Sequence, residues 1–169
     1  MEIIERLLHI RDYFNNGNTQ SYQFRKEQLL QLKSSLIRHE QDLYNALYQD
    51  LKKSPEECWV TENGMVLSEL NYALKKLKSW MASDSVPTNF LNLPSSSKIM
   101  KEPLGVVLII GPWNYPLQLL FNPLIGAIAA GNCVVLKPSE FAPATAAIMK
   151  KIIEEAFAKD FVLYVEGDG

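Results

Sequence analysis

The sequence predicts an α/β protein, with an N-terminal helical segment followed by strands and helices in the order β-α-β-α-β. Three observations predict it. Residues 1 to 84 contain two glycines, Gly17 and Gly64, and one proline, Pro55, and their leucines recur at helical spacing. From Pro103 onward, short β-branched runs alternate with apolar stretches long enough for helices. The connections between them are short, which implies a parallel sheet with right-handed crossovers.

The helical segment reads as three helices, near 2–14, 20–52 and 55–82. Leu29, Leu32, Leu36, Leu43 and Leu47 follow one another at steps of three, four, seven and four, so they stack on one face. Lys26, Lys33, Ser34, Arg38 and Gln41 take the opposite face. Ser54-Pro55-Glu56-Glu57 is a helix start, with Ser54 as cap, Pro55 in the first turn and Glu57 closing a capping box. Leu67, Leu70, Leu74, Leu77 and Met81 continue a second apolar face. Ser85 to Asn89 and Leu93 to Ser97 are rich in turn formers. With an extended Asn89–Leu93 and the following Lys98–Glu102, they suggest a β-hairpin or arm.

Gly105-Val106-Val107-Leu108-Ile109-Ile110 is a continuous apolar run, the pattern of a strand buried on both faces. A turn, Gly111 to Pro116, leads into an apolar helix from Leu117 to Ala130, which ends at Gly131-Asn132. Cys133 to Leu136 is the second strand, Pro143 opens an alanine-rich helix, and Phe161 to Val165 is the third strand. The expected divisions are 1–84, helical; 85–102, hairpin arm; and 103–169, parallel sheet.

Composition narrows the function classes. The chain has 169 residues, 47% of them hydrophobic, which suits one domain or one domain with a small appendage. Seventeen Lys+Arg against nineteen Asp+Glu leave a net charge of −2, which argues against nucleic-acid binding through a basic face. The apolar stretch around Leu117 to Ala130 is too short to span a bilayer, and Met1-Glu2-Ile3-Ile4-Glu5 is not a secretory signal. Cys58 and Cys133 make neither a disulfide framework nor a metal cluster. The expectation is a soluble, cytoplasmic protein.

Ligands of open parallel sheets bind beyond the carboxyl ends of the strands. Those ends carry Gly111 to Tyr115, Lys137 to Glu140, and Glu166 to Gly169. Lys137 and Glu140 lie where an acid of dinucleotide-binding folds bonds the adenosine ribose; they also suit a solvated charge pair on a loop. Asn114 sits in a turn stiffened by Pro112 and Pro116, where its amide can donate to a developing oxyanion; it also suits a plain turn former. The first strand lacks the Gly-x-Gly-x-x-Gly fingerprint. Cys58 falls within a helix with no basic partner in reach, Cys133 opens a core strand, and His9 and His39 lie on N-terminal helices. No nucleophile is recognisable.

Glu102 to Val107, then Gly111-Pro112-Trp113-Asn114-Tyr115-Pro116, then Gly131 to Glu140 with its Lys-Pro-Ser-Glu ending, resemble the aldehyde dehydrogenase superfamily in content, order and spacing. The short N-terminus and Tyr115 resemble its class 3, or fatty aldehyde, branch. The resemblance implies an incomplete aldehyde dehydrogenase fold with a partial Rossmann-like, NAD(P)-binding domain over 103–169. It implies oxidation of a small-molecule aldehyde to a carboxylic acid through a cysteine thiohemiacetal. Asn114 takes the oxyanion role. Lys137 and Glu140 take the ribose, with Ser139 beside them, and Ile110, Gly111, Pro112 and Trp113 line the cofactor. Tyr115 and Leu119 face the aldehyde. An acid at Glu140 favours NAD, with NADP possible. The arm resembles oligomerisation strands, which implies a homodimer, and membrane association is not visible in this chain. The family's nucleophilic cysteine and base glutamate fall beyond Gly169. Residues 1–169 are therefore expected to be an N-terminal portion, inactive alone. The alternative is a catalytically inactive fragment acting at most as a nucleotide-binding or interaction module.

Overall fold

A computed structural model of the chain describes residues 3–167. The expected helix start at Glu2, and Asp168 and Gly169 of the third strand-end group, lie outside the described residues.

The helical half is built as the leucine pattern requires, with two breaks that the pattern hides. Helix α1 spans Ile3–Asn15, α2 Tyr22–Arg38 and α3 Glu40–Leu51. The single helix expected over 20–52 is thus interrupted at His39, whose backbone leaves helical geometry. The His39 ring lies between Asp42, 3.0 Å away, and Glu155 of a distant helix, 2.9 Å away. Leu36 and Leu43 are seven residues apart, so the leucine face stays in phase across the break and all five leucines are buried.

The helix expected over 55–82 is also composite. Helix α4, Pro55–Cys58, starts with Ser54 Oγ accepting the Glu57 N–H. A π-helical turn, Trp59–Asn63, follows, and α5 continues over Gly64–Trp80. The wider turn rotates Glu62 and Asn63 into the interior. A Cβ at Gly64 would overlap the Trp59 carbonyl oxygen, which explains the glycine at this point.

The arm is a short antiparallel hairpin, β1 Asp84–Val86 with β2 Ser97–Ile99. Strand β2 overlaps the expected Lys98–Glu102 segment at Lys98 and Ile99, whereas β1 lies before the expected Asn89–Leu93 segment. Asn89 Oδ1 accepts the Leu91 N–H and starts a 3₁₀ turn over Phe90–Asn92 instead of an extended run.

The second half follows the expected order. Strands β3 Val106–Ile110, β4 Cys133–Lys137 and β5 Val162–Tyr164 form a parallel sheet in the order β3-β4-β5. Helices α6, Pro116–Ala130, and α7, Pro143–Ala156, connect them. The central strand β4 is buried, as expected, and so is β5, whose Val162, Leu163 and Tyr164 all lie in the core. Strand β3 is an edge strand, and its Leu108 and Ile110 are each 62% exposed, so the expectation of burial on both faces fails there. The apolar run alone does not separate an edge from a centre.

One hydrophobic core joins the two halves, with Leu29, Leu70 and Leu77 meeting Phe121, Ile125 and Ile153. Polar contacts join them at the helix ends. Neither Tyr115 nor Ala142 caps its own helix through a side chain. Asp50 of α3 caps α7 instead, accepting the N–H groups of Ala144 and Thr145 and the Thr145 hydroxyl at 2.7–3.2 Å. Arg25 of α2 donates to the Ala129 carbonyl at the C-terminal end of α6 and to the Thr19 carbonyl. Its guanidinium lies against Gly131, which turns with φ +91° and has no room for a Cβ.

Asp50→Ala should therefore lower the unfolding free energy by about 1–2 kcal/mol, the usual cost of losing an N-cap. Urea denaturation of the variant against the parent chain checks this.

Candidate active-site edge

The β3–β4 register sets the site. Ile110 pairs directly with Lys137, and the Gly111 N–H carries the ladder one step further to the Lys137 carbonyl at 2.9 Å. The Val165 N–H likewise meets the Leu136 carbonyl at 2.8 Å. The three strand-end loops therefore leave the sheet side by side, at the edge where ligands of such sheets bind.

Lys137 Nζ lies 3.1 Å from Glu140 Oε2 and also donates to the Pro138 carbonyl. The backbone N–H of Glu140 and the Lys137 ammonium hold the Glu140 carboxyl below its usual range, so it is ionised at neutral pH. Ser139 is buried, and its hydroxyl accepts the Phe141 N–H to close the turn. Pro138, Ser139, Glu140 and Pro143 line a cavity of about 220 Å³ with Glu166 and Gly167 from the end of β5. Lys137 also borders an apolar groove of about 580 Å³ between α1 and the sheet.

The turn after β3 presents Trp113, Asn114 and Tyr115 to solvent. The Asn114 side chain makes no hydrogen bond among the described residues, so its amide is free to donate outward. Leu119 lies one helical turn beyond Tyr115, its N–H bonded to the Tyr115 carbonyl, and both side chains are partly exposed. The structure thus brings Ile110 to Tyr115 and Lys137 to Glu140 together on one edge.

Two residues beneath this edge escaped the sequence reading. Lys53 and Glu62 form a buried ion pair with Nζ to Oε1 at 2.6 Å. Lys53 Nζ also donates to the Asn114 carbonyl at 2.9 Å and lies 4.0 Å from the centre of the Tyr115 ring. Glu62 Oε2 accepts the Gln118 N–H in the first turn of α6 at 2.9 Å. Burial pushes the Glu62 carboxyl above the usual carboxylate range, while Lys53 and the N–H groups of Gln118 and Leu117 act against that push. One signal was available. Glu62 falls between Cys58 and Val66 on a four-residue stripe that continues to Leu70, and an acid in an apolar stripe needs a partner.

Lys53 also corrects the reading of Cys58, which does have a basic neighbour. The thiol is nevertheless buried, and burial with the Glu62 charge pushes it up to about 11 against the opposing pull of Lys53. Burial pushes Cys133 up to about 12. Neither is an activated nucleophile. Glu140 and Glu166, acids by type, are each paired with a lysine, Lys137 and Lys150. Among the described residues, no group of His, Cys, Asp and Glu is placed to hold a metal ion.

Residues 10–169 match the Aldehyde dehydrogenase family. The chain belongs to that family. It is 48% identical over 149 residues to aldehyde dehydrogenase family 3 member B1 of Rattus norvegicus, covering 88% of this chain and 32% of that protein. An AldH of Staphylococcus aureus, solved in a substrate-bound state, is 44% identical with a TM-score of 0.95, covering 99% of this chain and 37% of that one. A betaine aldehyde dehydrogenase of Staphylococcus aureus, solved in complex with NAD+, is 26% identical with a TM-score of 0.82, covering 97% of this chain and 33% of that one. The resemblance to class 3 holds, and the chain spans about a third of the length of the curated relatives it matches. Among the described residues, no helix is long and apolar enough to cross a membrane.

In the aldehyde dehydrogenase chain both thiols should resist an aromatic disulfide reagent at pH 8 and react only after unfolding in urea. Rapid labelling of either in the native state would show an accessible thiolate.

Proposed function

We propose that residues 1–169 supply the oxyanion donor and the ribose-binding edge of an NAD(P)-dependent aldehyde dehydrogenase. The observation that carries this reading is the pairing of Ile110 with Lys137, which sets the outward-facing Asn114 turn beside the Lys137–Glu140 pair. Lys137 would donate to the adenosine ribose, Glu140 would accept from its hydroxyls, and Ser139 would complete the loop that shapes the cavity. These donors and acceptors fit a nucleotide at a strand end. An ionised Glu140 would repel a 2′-phosphate, which favours NAD over NADP. The backbone from Ile110 to Trp113 would line the nicotinamide half, and the nucleotide, when bound, accepts the hydride.

The reaction would convert an aldehyde to a carboxylic acid. Attack by a cysteine thiolate on the carbonyl forms a thiohemiacetal and places negative charge on the former carbonyl oxygen. The Asn114 amide would donate to that oxygen, and Tyr115 and Leu119 would face the aldehyde. The buried Cys58 and Cys133 support a nucleophile supplied from outside residues 1–169, together with the glutamate that activates water. In the same reading, 1–84 is the helical segment, 103–169 carries the cofactor edge, and 85–102 is the oligomerisation arm. Phe90, Leu91 and Met100 are 82%, 87% and 73% exposed, which suits cover by a second copy in a homodimer. A cytoplasmic setting completes the reading.

The intact mass of the native polypeptide is the first test. A mass well above 19.2 kDa supports a longer enzyme, and a mass of 19.2 kDa favours the nucleotide-binding or interaction module. In the full native polypeptide, Asn114→Ala should lower kcat by about a hundredfold or more. An unchanged rate with unchanged stability would leave Asn114 as a turn former only. Lys137→Ala should weaken cofactor binding, read by nucleotide titration, and unchanged affinity would remove the ribose assignment.

A further inference from the structure

We infer that Lys53 and Glu62 are positioning residues that hold the Asn114 amide at the height where it can reach an oxyanion. The inference rests on the oxyanion reading of Asn114 proposed above. The pair grips the turn at two points. Lys53 Nζ holds the carbonyl of Asn114 itself at 2.9 Å, and Glu62 Oε2 holds the N–H of Gln118 at 2.9 Å. The segment between them, Asn114 to Gln118, is the exit of the turn and the first turn of α6. The two gripping side chains are locked to each other at 2.6 Å and buried, with side-chain exposures of 8% and 0%. With its carbonyl drawn inward to Lys53, Asn114 keeps its side chain on the exposed side of the turn. Lys53 also lies over the Tyr115 ring, which fixes the next residue on the same support.

Capping α6 calls for an acceptor such as Glu62, but stability alone gives little reason to bury it as an ion pair. A buried ion pair is often no more stabilising than apolar side chains of similar volume. The backbone is also bent out of its usual geometry to deliver both residues. Lys53 follows Lys52, which takes the left-handed conformation at φ 58° without being glycine. Glu62 comes from a π-helical turn, a local form found frequently at functional sites. Two unusual backbone segments converge on one pair, and that pair meets the turn carrying the proposed donor. An oxyanion donor works only within a narrow distance range, so support of its backbone translates into rate.

The test uses the full native polypeptide with NAD+ and hexanal or benzaldehyde as probe aldehydes. Lys53→Met and Glu62→Leu are combined, so that no single buried charge is left behind. The double variant should melt within about 5 °C of the parent and bind NAD+ as before. Its kcat should fall on the order of ten- to a hundredfold with little change in KM. When Asn114→Ala is added, kcat should fall no further than in Asn114→Ala alone, because the pair acts through that amide. Full kcat in the double variant would overturn the inference. An equal fold-loss with and without Asn114, or a double variant that fails to fold, would make the pair structural and overturn it as well. Asn114→Ala alone reports on the underlying reading. If that variant keeps its full rate, the oxyanion assignment falls first and the positioning role falls with it.

Discussion

Helix ends that cannot cap themselves are the constraint on which this structure turns. A parallel sheet needs crossover helices, and each begins with N–H groups that have no partner within the helix. Here α6 and α7 start at Tyr115-Pro116 and Ala142-Pro143, where no local side chain accepts those groups. The helical half answers from a distance. Glu62 takes the Gln118 N–H, Asp50 takes those of Ala144 and Thr145, and Arg25 bonds a carbonyl at the far end of α6. The first half of the chain is therefore more than a cover for the sheet, since its polar side chains complete the helices that the sheet needs.

The same arrangement anchors the turn after β3. Strand β3 is an edge strand and its neighbour among the described residues is β4, so the turn beyond it has support on one side only. Lys53 and Glu62 supply support from beneath. The cost of burying the two charges is offset by their mutual contact and by three backbone groups, the Asn114 carbonyl and the N–H groups of Gln118 and Leu117. Asn114 is left with an anchored backbone and a free amide, the combination a preorganised donor requires.

The titratable groups divide by environment. Cys58 and Cys133 lie in the apolar interior, where burial disfavours the thiolate. Lys137 and Glu140 lie at the solvent edge, where the contact with Lys137 helps hold the Glu140 carboxyl below its usual range. The described residues therefore carry charged and polar groups at the edge, with no activated nucleophile beside them.

Local physics made much of this legible in advance. Helical periodicity, continuous apolar runs, the prolines at helix starts, Ser54 as cap and the glycine after α6 depend on neighbours a few positions away. They marked the α/β order, the buried leucines of α2, α3 and α5, and the strand ends where Asn114, Lys137 and Glu140 sit. What tertiary structure alone decided depends on residues far apart. At His39 a helix whose leucine face stays in phase is interrupted, and the His39 ring meets Glu155, 116 residues along the chain. Leu108 and Ile110 are exposed on β3 while Val162 to Tyr164 are buried on β5 at the opposite edge, a difference of packing that an apolar run does not record. Lys53 meets Asn114 across 61 positions, so spacing within either segment could not reveal that contact. Short-range patterns select elements and turns; burial, pairing and the support of an exposed turn arise only when distant segments share one interior.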